Sequence, residues 1–384
     1  MGTRVVVLGA GFGGLELCTT LSEAFGDSIE VTLIEKSDAF VFGFSKLDVM
    51  FGLASPEAVR LSYRNFSKPG VRLARETVTA IDPVRRRVTT DAAVYDCDHL
   101  VVALGVGYDL AATPGLAEHG NEFYSVEGAG LLRDLLPGFR RGNALVGVSA
   151  APYKCPPAPS ECALMLHDYL LARGVREQCS ITLVLPLSSP VPPSPETSVA
   201  LLEAFAERNI AFLPNRRVVA VEGTRRVARL DDGTELPYDL YLGVPRHRAP
   251  EVVEASGMSE GGWIPVNPRT LETKYPNVYA VGDIANTGTP KAGVFAEGAA
   301  AAAASRIIAA IRGSGDASLY AGAGTCYIEF GSGRIGRVDV DFFSGPKPTG
   351  RYHAPAVESR VHKQAFGSSR EARWFGAGAA APAN

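Results

Sequence analysis

The chain opens on an uninterrupted apolar run, Val5-Val6-Val7-Leu8, that gives way at once to Gly9-Ala10-Gly11-Phe12-Gly13-Gly14. A short β-branched run without polar alternation reads as a parallel strand buried on both faces. Leu15, Leu17 and Leu21 then set a helical pattern, and a second strand-like run at 29–34 ends in Glu35. The rhythm returns later, where strand-like runs at 144–148 and 181–185 flank a helix-like run at 161–171. Two βαβ units in one chain predict an α/β protein with two Rossmann-like dinucleotide-binding folds. Further strand-like runs lead into Gly105 and into Gly282-Asp283, the second followed by a long Ala-rich helix from Gly293. The longest apolar stretch, 298–311, carries Ser305 and Arg306 and reads as a helix packed on a sheet.

The first glycine cluster has the context its chemistry needs, with a strand before it and a helix after it. Gly9 makes the tight turn, Gly11 lets backbone approach a pyrophosphate, and Gly14 allows close helix–strand packing. The helix N-terminus offers unpaired N–H groups to the phosphates. Glu35, 21 residues past Gly14, stands where an acid binds a ribose hydroxyl. The corresponding turn of the second unit reads Gly147-Val148-Ser149-Ala150-Ala151-Pro152, without those glycines. Its second strand ends in Leu185-Pro186-Leu187, with neither an acid nor an arginine for a ribose. The second fold is therefore expected to lack a nucleotide site.

Composition narrows the class. At 384 residues and 46% apolar content, the chain can build two or three ordinary cores. A net charge of -3 gives no reason to expect nucleic acid. No signal peptide is visible, so a cytoplasmic protein, soluble or peripheral to a membrane, is the expectation. The six cysteines form no disulfide framework or zinc spacing, and the six histidines form no metal pattern, so no metal site is expected.

What replaces the second glycine loop is Pro152-Tyr153-Lys154-Cys155-Pro156-Pro157-Ala158-Pro159. A cysteine just before a helix start has its thiolate favoured by the helix dipole, and Lys154 adds positive charge. Cys155 then reads as reactive, the plainer alternative being a small apolar residue in a proline-rich loop. Cys18, Cys97, Cys162 and Cys179 read as small buried residues or surface thiols. His247 is expected in a loop at the junction of the two folds. Lys291 reads either as positive potential near a cofactor or as a solvated lysine.

Two motifs resemble the pyridine nucleotide-disulfide oxidoreductase superfamily. Asn277-Val278-Tyr279-Ala280-Val281-Gly282-Asp283 is similar to its second FAD signature, and Asp98 to Gly105 is similar to its mid-chain motif, with Leu104 where threonine is usual. More specifically, Pro152 to Pro159 with Glu161, Pro245-Arg246-His247-Arg248-Ala249-Pro250, Trp263-Ile264-Pro265-Val266, Pro290-Lys291-Ala292-Gly293 and Thr325-Cys326-Tyr327 resemble the sulfide dehydrogenase group. That group comprises sulfide:quinone oxidoreductases and the flavoprotein of flavocytochrome c sulfide dehydrogenase. Ser160 stands where an aromatic residue is expected.

The resemblance implies FAD, bound by Gly9, Ala10, Gly11, Phe12, Gly14, Glu35, Lys36, Val78, Gly105, Gly282, Asp283, Lys291, Ala292 and Gly293. It implies that Cys155 and Cys326 are a catalytic, redox-active pair that oxidises sulfide or a related small sulfur species. Electrons would pass to a quinone or another carrier. It also implies an FAD-binding domain at 1–108 and 251–325, a second Rossmann-like domain at 109–250, and an α+β cap with a helix at 326–375. The cap is expected to begin as a hairpin, and 376–384 as a disordered tail. The segment 351–375 is rich in basic residues with Phe366, Trp374 and Phe375 interleaved, which suits either a docking helix or peripheral membrane contact, although Gly367-Ser368-Ser369 interrupts its apolar period. A homo-oligomer is compatible with all of this. The rival readings are a type II NADH:quinone oxidoreductase, the flavin subunit of a cytochrome-linked sulfide dehydrogenase, and a non-catalytic flavoprotein.

Overall fold

The computed structural model describes residues 2–376, so the tail expected at 376–384 lies, apart from Gly376, outside the described residues. The opening run becomes the strand Arg4–Leu8, the centre of a five-stranded parallel sheet. Its neighbours are Glu30–Ile34 and then Val71–Ala74 on one side, His99–Val102 and then Val278–Ala280 on the other. Val5 and Val7 enter one buried cluster with Leu15 and Leu17, while Val6 and Leu8 enter another with Ile81 and Met258. Burial on both faces is why the strand is apolar throughout.

A second parallel sheet repeats the plan with Ile210–Pro214, Cys179–Leu185, Gly142–Val148 and Leu240–Val244. Each parallel sheet carries an antiparallel three-stranded meander, Val78–Asp82 to Val94–Asp96 in the first unit and Val218–Glu222 to Glu235–Pro237 in the second. The α/β class with two Rossmann-type sheets is thus the architecture. The two units are tied by Gly107–Asp109 pairing antiparallel with Arg246–Arg248. His247 therefore sits in a short strand rather than the expected loop, because its backbone pairs with Tyr108.

The Ala-rich helix, Gly293–Arg312, is long and apolar enough by composition to cross a membrane. In the fold it packs against the first helix, Phe12–Phe25, burying Ala299, Ala300, Ala303 and Ile307. Alanine side chains let the two backbones approach closely, so the apolar composition belongs to the protein core.

The C-terminal cap is a three-stranded antiparallel sheet, Ala323–Glu329, Ile335–Asp341 and Thr349–Ala356, rather than a hairpin alone. The last helix, Ser359–Phe375, runs unbroken through Gly367-Ser368-Ser369. Ser368 and Ser369 turn their hydroxyls onto the carbonyls of Ala365 and Phe366 one turn back, so these polar side chains are accommodated within the helix where the apolar period lapses. This helix crosses back to the start of the chain. Arg373 pairs with Glu16 at 2.8 Å and with Glu23 at 2.8 Å, Trp374 Nε1 donates to Glu16 at 2.9 Å, and Lys68 Nζ donates to the Arg373 carbonyl at 2.6 Å. Trp374 is fully buried against Phe12 and Phe40.

Glu16 is itself buried, so its loss strands the indole N–H and leaves the guanidinium with Glu23 alone. Glu16→Ala is expected to cost about 2–3 kcal/mol in denaturant unfolding and to open the last helix to early tryptic cleavage. Wild-type stability together with wild-type protease resistance would show that the helix is held by other contacts.

Candidate active site

The first glycine turn has little freedom to change. Gly9 holds φ +95°, and a Cβ there would lie 2.5 Å from the Ala103 carbonyl oxygen. A Cβ on Gly14 would lie 1.9 Å from the Gly9 carbonyl oxygen, so this glycine presses the helix onto the turn. At Gly11, by contrast, a Cβ would meet nothing within 4 Å, and the backbone faces open space. Glu35 closes the turn from the end of the next strand. Its carboxylate accepts the Ala10 N–H at 2.9 Å and the Ser37 N–H at 2.8 Å.

From this turn a cavity of about 500 Å³ runs inward. Gly9, Gly11, Phe12, Glu35, Lys36 and Val78 line its outer part. Gly105, Gly282, Asp283, Lys291, Ala292 and Gly293 line its inner part, where the Ala-rich helix begins. Ala10 and Gly14 stand behind the wall and shape it without lining it. A glycine turn, an open helix N-terminus, an acid at the strand end and a second helix start at the far end fit a dinucleotide such as FAD.

The equivalent turn of the second unit has its backbone N–H groups engaged within the protein. The Ser149 N–H donates to the Val244 carbonyl at 2.9 Å, and the Cys155 N–H donates to the Lys291 carbonyl at 2.7 Å. The first bond keeps the start of this turn on the second sheet, and the other joins its end to the first unit, with Lys154 bridged to Lys291 in parallel register. The remaining glycine, Gly147, makes room for Tyr241, whose Oη would stand 2.7 Å from a Cβ there.

Cys155 and Cys326 line the inner cavity from opposite elements, the loop before the helix Ala158–Ala172 and the strand Ala323–Glu329. Both are free thiols. Cys155 sits at φ +49°, a left-handed conformation uncommon for a side-chain-bearing residue. Its own N–H on Lys291 and the Ala158 N–H on its carbonyl at 2.9 Å hold it there.

The electrostatics differ from the thiolate expected at a helix start. Burial, the Glu161 carboxylate and Cys326 raise the Cys155 thiol far above its ordinary range, against smaller opposing effects of Lys363 and the Ala158 N–H. Cys326 is pushed up to about 12 by burial, Glu161 and Asp339. Lys154 does not serve the thiol as expected, because its Nζ lies 4.6 Å over the Tyr108 ring. Burial opposes its charge, yet Tyr108 and Asp283 hold its pKa above the usual lysine value. Lys363, from the last helix, is the cation that bears on Cys155.

Glu161 is almost fully buried beside the thiols and pushed up to about 7 by burial, with Lys363 and the Glu329 N–H at 3.0 Å opposing. Lys363 pairs with Glu329 at 2.6 Å and lies 5.1 Å over the Phe44 ring. Burial raises Asp283 in turn, while Lys154, Lys291 and Lys46 pull it down. Lys291 is buried rather than solvated. Its Nζ donates to the Ala285 carbonyl and lies 4.5 Å over Trp263, and burial pushes it down to about 8. His247 is driven down to about 3 by burial and Lys154, so its ring is neutral, with Nδ1–H on the Pro245 carbonyl at 2.8 Å.

Cys18, Cys97, Cys162 and Cys179 are buried and do not line the cavity. The sequence reading missed Lys46, Lys363, Phe44 and Tyr124, all of which line it. Nothing in their local pattern marks them, and Lys363 arrives from the opposite end of the chain.

A family model described as pyridine nucleotide-disulphide oxidoreductase matches residues 3–305. A mitochondrial sulfide:quinone oxidoreductase of Mus musculus is 27% identical over 369 residues, covering 90% of this chain and 80% of that protein. A type II NADH:quinone oxidoreductase of Staphylococcus epidermidis is 34% identical over 125 residues, 32% of this chain and 31% of that protein. The solved sulfide:quinone oxidoreductase of Aquifex aeolicus has the same fold, with a TM-score of 0.87 at 24% identity over 97% of this chain and 92% of that one.

Gly14→Ala should fold yet retain roughly a tenth or less of the flavin, read as visible absorbance per protein with circular dichroism as the fold control. The carboxyl of Glu161 rises from its ordinary 4.5 to about 7 in the folded chain. Stability from this group is present below the lower value and lost as pH rises through the higher one. Glu161→Gln should remove that decline from denaturant unfolding curves, and an unchanged pH profile would rule out a buried, protonated Glu161.

Proposed function

The chain belongs to the pyridine nucleotide-disulphide oxidoreductase family, a family of FAD-dependent oxidoreductases, and from that premise we propose that it oxidises hydrosulfide or a related small sulfur species through Cys155 and Cys326. The observation that carries this reading is the placement of both cysteines on the inner wall of the dinucleotide trough, beside a second nucleotide turn that is stitched shut. We assign 1–108 with 251–325 to the FAD-binding domain, 109–250 to the degenerate second fold and 326–375 to the cap.

In the oxidised enzyme Cys155 and Cys326 are joined as a disulfide. Hydrosulfide attacks one sulfur, so that a persulfide S–S bond forms, the disulfide bond breaks and the other cysteine leaves as a thiolate. The sulfide sulfur is oxidised and the cysteine pair is reduced. The high thiol pKa values mean that a thiolate released here is strongly basic and nucleophilic. Glu161, poised near neutrality, holds a proton within reach of both sulfurs. Lys363 moderates the charge that builds on Cys155. FAD, when bound, would take the two electrons from the reduced cysteine pair and carry them to an external acceptor.

A quinone is the acceptor that suits the cavity's other wall. Phe44, Tyr327, Phe366 and Lys363 line it together, with Lys363 Nζ 5.1 Å over the Phe44 ring and the Tyr327 and Phe366 rings 6.2 Å apart. A flat ring would stack among them and place a carbonyl on the ammonium group. Val357 and Val361 stand exposed near the start of the last helix, a surface suited to contact with a membrane that holds such an acceptor. The likeness to the NADH-oxidising relative covers a third of the chain, and the closed second turn favours sulfide over NADH as donor.

Anaerobic mixing tests the reading. Sulfide should bleach the flavin of the purified protein and NADH should not, while Cys155→Ser and Cys326→Ser should slow bleaching by roughly a thousandfold with FAD retained. Bleaching retained in both variants would sink the thiol scheme, and rapid bleaching by NADH would sink the closed site. Turnover with a soluble quinone, compared with a cytochrome, identifies the acceptor.

A further inference from the structure

The cavity wall beyond Cys155 carries positive charge and a free hydroxyl that the thiol chemistry does not use. Lys46, Phe123, Tyr124 and Lys154 form this wall. Tyr124 is 4% exposed, and its hydroxyl has no hydrogen-bond partner among the described residues. That hydroxyl is close enough to Cys155 for a thiolate there to raise its pKa. The ring is fixed by contact with His247 at 5.3 Å and Phe123 at 5.1 Å, and by the Tyr108 hydroxyl donating to the Tyr124 carbonyl at 2.8 Å.

The carboxylates nearby are already committed. Glu122 accepts the N–H groups of Tyr124 at 2.6 Å and Ser125 at 2.9 Å, together with the Ser125 hydroxyl. Asp283 is shared among Lys46, Lys154 and Lys291. Lys46 itself forms no salt bridge among the described residues. His247 is neutral and adds no charge. Two lysines and one unpartnered O–H thus line the same cavity as the Cys155 sulfur.

We propose that Lys46, Lys154 and Tyr124 form a docking subsite for a small, soft anion of the hydrosulfide class, held beside Cys155 before it reacts. The subsite rests on the function proposed above and specifies how its substrate is held. Wall chemistry sets the class. A tetrahedral oxyanion or a carboxylate presents several strongly hydrated oxygens, which the aromatic faces and the sulfur of this wall would strip of water without replacing. A single polarizable sulfur is more weakly hydrated, and the aromatic faces of Phe123 and Tyr124 with Cys155 suit it. Burial and Lys154 press Lys46 down to about 7, opposed by Glu122, Asp283 and Cys155. A bound anion would add to that opposition and hold the lysine charged.

Thiocyanate is a redox-inert probe of this chemistry. Titrated into the FAD-loaded full chain, it should perturb the flavin spectrum with saturation, and sulfate should not. Lys46→Met and Lys154→Met should each weaken thiocyanate binding by roughly tenfold, and Tyr124→Phe by roughly threefold. The same variants should need correspondingly more sulfide for half-maximal flavin reduction, while Cys155→Ser should still bind thiocyanate. Equal thiocyanate affinity in the wild type and both lysine variants overturns the subsite. So does loss of FAD from both, because the lysines would then serve the cofactor. A wild-type protein that binds thiocyanate through these lysines but is not reduced by sulfide overturns the proposed function and leaves the anion site standing.

Discussion

The hydrogen bond from the Cys155 N–H to the Lys291 carbonyl, 2.7 Å long, joins the two halves of the molecule at the point where their chemistry meets. It leaves Ser149 on the second sheet, through Val244, and lays Lys154 and Cys155 beside the strand-to-helix junction of the first. A backbone committed to that bridge cannot also open its N–H groups toward a pyrophosphate. The same commitment holds Cys155 at a left-handed φ and turns its sulfur into the inner cavity. Closure of one nucleotide site and delivery of a thiol to the other are therefore a single structural event.

Burial then decides the charge states. A cysteine at a helix start with a lysine beside it would be a thiolate in an exposed loop. Here desolvation outweighs both effects, Glu161 adds to it, and Lys154 spends its charge on Tyr108 and Asp283. The cation that does reach Cys155, Lys363, depends on the last helix, which is anchored to the first through Arg373, Trp374 and Glu16. The electrostatics at the inner end of the cavity thus depend on docking contacts made by the C-terminus against the opening helix.

The repeated βαβ units were legible because their signals are local. Val5 to Leu8 is apolar throughout because both faces are buried, and Gly14 is required by its close approach to the Gly9 carbonyl within the same turn, while Gly9 is required by its positive φ and its approach to Ala103. The meanders were less legible, since Val78–Asp82 and Val218–Glu222 are half-exposed strands whose alternation is weak. The third strand of the cap was missed for the same reason, and the final helix looked interrupted because its serines bond back onto their own turn.

The amino-acid order alone determined the two sheets and the dinucleotide turn, because each is written in spacing along the chain, whereas the pairing of Cys155 with Cys326 rested on resemblance rather than on spacing. Only the tertiary structure decided which groups surround those cysteines. Lys46, Tyr124, Glu161, Asp283 and Lys363 come from five separate segments. Their charges depend on distances and desolvation that exist only once those segments are packed together. Electrostatic interaction acts through space and through the local dielectric, and neither can be read from position in the sequence.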